Sequence, residues 1–238
     1  MTALVLRFAA PLQSWGTSSR FTRRNTDLAP SRSGVIGLLA SACGVRRADD
    51  LGAFTHLRVG VRVDQEGQLE RDFQTARSPD GSQTMPLSTR FYLADAVFCV
   101  AVEGDAELLD RVRAALRRPA APLFLGRRSC PPAGRLVEAV IDGDIRTALA
   151  TVPWLASPAV RRKRAHDREV TVDVVLDCPP DTPGSDVVRD VPISFDPRHR
   201  QYSWRSVHRD TVTIPNPDHR PPPDEHPHDP MELLGSPS

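Results

Sequence analysis

The sequence predicts an α+β fold, and three observations carry that expectation. Short apolar runs such as Ala3 to Ala10 and Ala96 to Val102 have the length and composition of strands. Two segments between and after them carry helix signals instead: a serine-opened apolar run closed by Gly44, and a stretch with apolar residues three and four apart. A polar stretch, 65–89, interrupts this alternation with Gly67, Pro79, Gly81 and Pro86 and offers little to a core.

Taken in order, Ala3 to Ala10 reads as a strand ended by Pro11. A polar loop from Gln13 to Arg32 follows, with Trp15, Phe21 and four arginines. Ser31 or Ser33 caps a helix reaching Cys43, and Gly44 supplies the left-handed residue that ends it. His56 to Asp64 alternates as a half-buried strand does. Leu69 to Ala76 and Ser88 to Ala94 flank the polar stretch and are expected to pair as a long protruding hairpin, ordered by a partner because it has no core of its own. Ala96 to Val102 is a central strand. Asp105 to Arg118 is an amphipathic helix with Leu108, Leu109, Val112, Ala115 and Leu116 on one face and Pro119 as its stop. Leu123 to Leu125 and Leu136 to Ile141 bracket a polar turn. Strand, helix, strand, hairpin, strand, helix, strand is the ferredoxin-like (RRM-like) order. Glu169 to Leu176 and Val187 to Phe195 add strands of a smaller C-terminal β subregion. The expected organisation is a first domain over 1–150 with an insertion at about 69–92, a β-rich subregion over 151–215 packed on it, and a flexible proline-rich tail over 216–238.

The net charge of +1 hides a segregation of sign. The first 47 residues carry Arg7, Arg20, Arg23, Arg24, Arg32, Arg46 and Arg47 against Asp27 alone. Acids gather after Arg209, so a polyanion belongs at the basic end. Lys163 is the only lysine, and arginine suits forked contacts to phosphate better than proton transfer. Cys43, Cys99, Cys130 and Cys178 form no C-x-x-C pair, which points to reduced thiols and to neither zinc nor disulfides. No signal peptide is expected, because Arg7 breaks the apolar start; the longest apolar run, Val35 to Val45, is too short for a bilayer. The expectation is a cytoplasmic protein with no cofactor and no membrane partner.

Three segments carry chemistry suited to a nucleic acid. In the first, Gln13, Ser14, Trp15, Arg20, Phe21, Arg23, Arg24, Arg32, Ser33 and Gly34 lead into a helix N-terminus able to seat a phosphate, with aromatic rings for unpaired bases. The same residues also fit a helix cap with Trp15 and Phe21 packed on the core. In the second, Gly126, Arg127, Arg128 and Ser129 can form a nest of N–H donors. In the third, the hairpin, Arg71, Gln74, Thr75, Arg77, Thr84, Met85 and Arg90 are mostly polar or cationic, with Met85 a wedge between bases.

Together these segments resemble a known family. The runs PLQSWG, SRSGVIGLLASACG and LGRRSCPP, with Arg189 to Phe195, Arg200 to Tyr202 and Arg205 to Val207, are similar to the CasD family of the type I-E CRISPR Cascade complex over about 1–215. Arg32 stands where many relatives carry lysine. The resemblance implies a RAMP protein, with a ferredoxin-like core, a thumb hairpin at about 69–92, a handle-binding surface at 13–34 and a glycine-rich loop at 125–130. It implies a subunit without catalytic residues that grips the 5′ handle of CRISPR RNA, caps the CasC backbone, abuts CasA and meets target DNA only through the complex. The rival is a metal-independent endoribonuclease processing precursor CRISPR RNA. Its raw material here is poor: Lys163 in a basic run, Tyr92, Tyr202, and histidines at 56, 166, 199 and 208 without obvious partners.

Overall fold

The computed structural model describes residues 1–17 and 23–221. In chain order the elements are β1 (Thr2–Ala9), β2 (Leu12–Gln13), β3 (Arg23–Arg24), α1 (Arg32–Ala42), a 3-10 turn (Gly52–His56), β4 (Arg58–Gln65), β5 (Gln68–Gln74), β6 (Ser88–Ala94), β7 (Val97–Gly104), α2 (Ala106–Arg117), β8 (Val137–Asp142), α3 (Ile145–Thr151), α4 (Pro158–Lys163), β9 (Glu169–Cys178), β10 (Asp186–Ser194) and β11 (Gln201–Pro215). Seven strands form one antiparallel sheet in the order β10-β11-β9-β4-β7-β1-β8.

The central strands read as continuous apolar runs because both of their faces are covered. Leu4, Leu6 and Phe8 of β1 share a core with α1 and α2, while Ala3 and Val5 face a second core closed by Ile145, Ala148 and Leu149 of α3. Phe98, Val100 and Cys99, Ala101 divide β7 in the same way. The caps fall where the sequence puts them. Ser31 Oγ accepts from Gly34 N at 3.2 Å, Gly44 takes φ +81°, and Asp105 accepts from Leu108 N at 2.9 Å.

The C-terminal strands correct one expectation. Gly60 to Arg62 of β4 pairs with Val174 to Leu176 of β9, so these strands extend the first sheet edge to edge instead of packing on it as a separate subregion. β11 leaves little signal in the sequence, because few of its side chains besides Val207 and Ile214 are buried and the alternation is faint. α3 and α4 are too short for helical periodicity to register. The tail expectation also changes at its start. Asn216 donates to the carbonyls of Arg164 (2.7 Å) and Asp167 (3.1 Å), and Arg220 N to that of Ala165 (2.8 Å), so 216–221 is pinned; 222–238 lies outside the described residues. Among the described residues no helix is long and apolar enough to cross a membrane.

Two buried ionic assemblies tie the layers together. Arg62 and Asp64 of β4 are paired in the interior, with Arg62 donating to the carbonyls of Val152 (2.7 Å) and Pro153 (2.8 Å) and thereby capping the end of α3. At the other assembly Asp177 of β9 binds both Arg32 of α1 and Arg205 of β11 and accepts from Val59 N at 2.8 Å. Asp190 of β10 accepts from Arg205 Nε at 2.6 Å and from the backbone N of Arg32 at 2.7 Å. Burial alone would lower the pKa of Arg205, but its bonds to these carboxylates raise it. Replacing Asp177 by alanine leaves the buried Arg32 guanidinium without a carboxylate and Arg205 with Asp190 alone. Urea denaturation should show a loss of about 3–5 kcal/mol. Asp167→Ala, which breaks only an exposed pair with Arg164, should cost no more than about 1 kcal/mol.

Candidate nucleic-acid interface

β6 joins segments that are far apart in the chain. β5 pairs along its whole length, from Gln68 opposite Ala94 to Gln74 opposite Ser88. Its other edge takes β2, with Gln13 opposite Leu93, and then β3 in parallel, with Arg23 opposite Thr89 and Arg24 opposite Arg90. The arginine loop and the hairpin are therefore one four-stranded sheet. The third segment is bolted to it. Ser14 N donates to Leu125 O at 3.2 Å, and Gly126, at φ +82°, lies so close that a Cβ would stand 1.7 Å from Ser14 O. Arg127 lies 4.7 Å over the Tyr92 ring and donates to the carbonyls of Phe91 (2.9 Å) and Arg24 (2.8 Å).

The structure divides the anticipated residues by exposure. Arg23, Arg24, Gly126, Arg128 and Ser129 are exposed on this assembly. Gln13, Ser14, Trp15 and Arg32 are buried, which corrects their assignment as contact side chains. Gln13 Nε2 donates to Ala96 O at 2.7 Å, just before β7, tying the small sheet to the large one, and Ser14 Oγ donates to Phe91 O at 3.1 Å, holding the first loop to β6. Trp15 stacks on Phe8 with ring centroids 5.6 Å apart, so its face serves the core and not a base. Arg32 is held in the ionic assembly with Asp177, and the Asp190 carboxylate occupies the helix N-terminus where a phosphate was expected. Ser33 and Gly34 are half-buried there. Burial holds the Asp27 carboxyl above its usual range, against hydrogen bonds from Thr17 and aided by Asp190. Arg20 and Phe21 lie outside the described residues.

The hairpin stands on β6, which is hydrogen-bonded along both of its edges. Its tip is tightened by Asp80, which accepts from Ser82 Oγ at 2.7 Å and also pairs with Ser78. Hydrogen bonds from Ser78 and Ser82 lower the Asp80 pKa to about 2. Arg71 lies 4.8 Å over Phe73 and Arg23 5.3 Å over Phe91, an arginine–aromatic face that no motif in the sequence marks. Thr75, Arg77, Thr84 and Met85 are exposed, with Arg77 bridged to Thr84; Gln74 and Arg90 are half-buried within the strands.

A cleft of about 660 Å³ opens beside the assembly, along the outer face of α1. Ser33, Gly37 and Ser41 form its floor, and Phe195 and Tyr202 its far wall. Arg46, Arg47 and Arg200 stand at it, and no carboxylate lines it among the described residues. Arg46 and Arg47 were visible as part of the basic N-terminal region; Arg200 and Tyr202 reach the cleft only through the fold of β10 and β11. As for the ribonuclease rival, Tyr92 is buried beneath Arg127, and Tyr202 meets Phe195 edge-on at 6.5 Å.

An antiparallel α+β chain with an arginine-rich small sheet at its margin matches one protein family over most of its length. The family model described as "CRISPR-associated protein (Cas_Cas5)" matches residues 3–208, and the chain belongs to that family. Within it, the chain is similar to the "CRISPR system Cascade subunit CasD" of Escherichia coli (strain K12), at 31% identity over 152 residues. That alignment covers 54% of this chain and 66% of the relative, just under two thirds of its length. A solved "CRISPR RNA-guided surveillance complex" contains a chain with TM-score 0.74 and 32% identity, covering 98% of this chain and 99% of that one. A "Crystal structure of Cas protein" aligns with TM-score 0.69 and 31% identity over 93% and 99% of the two chains.

The junction at Gly126 makes a direct prediction. In Gly126→Ala both the backbone conformation and the approach to Ser14 O are forbidden, so the turn must move away from β2. A stability loss of at least about 1–3 kcal/mol is expected in urea denaturation. Arg127→Lys should not preserve the wild-type stability, because an ammonium cannot reach several carbonyls while lying flat on Tyr92.

Proposed function

We propose that this chain is an RNA-binding subunit of a Cascade-type CRISPR complex, acting by binding and not by catalysis. The observation that carries the reading is the convergence of the arginine loop, the hairpin and the 125–130 turn on β6, with Arg23, Arg24 and Arg128 exposed on one assembly. Likeness to CasD and to a chain of an RNA-guided surveillance complex supports it. In this reading the assembly grips the 5′ handle of CRISPR RNA, and the β5–β6 hairpin is the thumb that meets the first CasC subunit. CasA lies alongside, target DNA is met through the complex, and the setting is the cytoplasm. The ferredoxin-like description is supported by the strand order β4-β7-β1-β8, with α1 and α2 sharing one face of it.

The test is the salt dependence of RNA binding. Replacing Arg23, Arg24 and Arg128 together with alanine should weaken binding and flatten the slope of log K against log salt by about 0.7 for each phosphate no longer neutralised. A folded triple variant with unchanged affinity and slope would refute the assignment. The purified chain should also leave precursor CRISPR RNA uncut; specific cleavage abolished by substituting Tyr202 would favour the ribonuclease instead.

The hairpin has its own test. Shortening 75–87 to a tight Asn-Gly turn removes no buried side chain, so the melting temperature should stay near that of the wild type. Assembly of the RNA-loaded complex, followed by size-exclusion chromatography, should be impaired. Normal assembly would rule out the thumb.

A further inference from the structure

We infer that the groove between the end of α2 and the start of β8 seats the chain's own acidic segment, Asp224 to Leu234. The groove encloses about 750 Å³ and shares only Leu123 with the cleft along α1. Leu116 and Leu136 form its buried floor, and Leu123 and Val137, both half-buried, continue that apolar strip toward solvent. Arg117 and Arg135 stand exposed at the rim. Among the described residues neither has an ion pair, although Arg111 and Arg113 of the same helix each have one, and no carboxylate lines the groove. β8 closes the large sheet, and no described strand lies along its outer edge. An apolar strip, two unpaired cations and a bare strand edge suit an extended segment that is acidic and carries apolar side chains. RNA would satisfy the arginines and leave the leucines uncovered.

One segment of this chain has that composition, and it lies beyond residue 208, where the family match ends. It carries Asp224, Glu225, Asp229 and Glu232, no arginine or lysine, and then Met231, Leu233 and Leu234. In an extended backbone Met231 and Leu233 share one face and Glu232 takes the other, which matches an apolar floor beside a cationic rim. The groove is also within reach. Arg220 N donates to Ala165 O, which pins the chain just before Pro221. In the order β11-β9-β4-β7-β1-β8, five spacings of about 4.8 Å separate β11 from β8, about 24 Å in all. Residues 221–230 include prolines at 221, 222, 223, 227 and 230, and at about 3.1 Å per residue they span about 31 Å. Both points lie at one end of the sheet. β11 finishes at Pro215 opposite Glu169, and Ala133, in the loop before β8, donates its N–H to Ala9 O at the end of β1. The pairs Ala9–Val97, Gln65–Val97 and Arg62–Val174 put those two ends on the same side.

The full chain offers a direct test, because its other methionines, Met1 and Met85, are exposed and serve as references for Met231. With methyl-13C methionine, the Met231 signal is assigned by its loss in Met231→Leu. In the native chain it should be displaced from its position in urea and show NOEs to the methyl groups of Leu123 and Val137. Arg117→Glu with Arg135→Glu, exposed side chains without a partner among the described residues, should move it to its urea position and sharpen it to the width of Met1. Adding Asp229→Arg and Glu232→Arg should restore the docked signal. A native Met231 methyl already at its urea position, or NOEs from it to Phe73 and Met85 of the hairpin, would overturn the inference. So would a docked signal lost on dilution, which would put a second copy's segment in the groove. None of these readouts involves RNA, so failure here leaves the RNA-binding reading standing.

Discussion

Asp177 and Asp190 each bind more than one partner, and that shared use holds the first helix to the last three strands. Two carboxylates face two guanidinium groups, those of Arg32 and Arg205, in a region with little water to screen them. Each charge is costly alone and tolerable only in company. Removing any one of the four therefore leaves another buried charge short of a partner. Through it α1 is fixed against β4, β9, β10 and β11; the backbone N of Arg32 and the N–H of Val59 are satisfied by the same two side chains.

From that fixed helix the functional surface is assembled outward. Ser31 caps α1, Gly34 lets it press against Trp15, and Trp15 stacks on Phe8 of the central sheet. The adjoining Ser14 is held by Leu125 and Phe91, which brings the turn at Gly126 and the strand β6 to the same place. Buried residues of the first loop thus position the arginines that remain exposed. The division is physically sensible: on a surface facing a polyanion, arginines free of carboxylates are the useful ones, and a rigid frame beneath them keeps the ordering cost of binding low.

The two arginine-bearing regions differ in construction. The small sheet carries its cations on β3 and on the turn after Gly126, beside rings covered by Arg23, Arg71 and Arg127. The cleft is concave and floored by small residues. Their adjacency follows from the close approach of Ser14 and Gly126, since both residues also border the cleft.

The strands β1, β4 and β7, both long helices with their caps, and the flanks of the hairpin were legible in the chain, because burial period and capping chemistry are local properties. So were the three arginine-bearing segments and the family they resemble. Which polar residues turn inward was not. Gln13, Ser14 and Arg32 read as contact residues until Ala96, Phe91 and Asp177, distant in the chain, are brought to them. Nor could local pattern show that β9 adds to the edge of β4, that β3 lies along β6, or that Arg200 and Tyr202 face α1. Those are pairings between remote segments, and they are settled only when the chain is folded: a backbone donor carries no record in its own residue of which strand will accept from it.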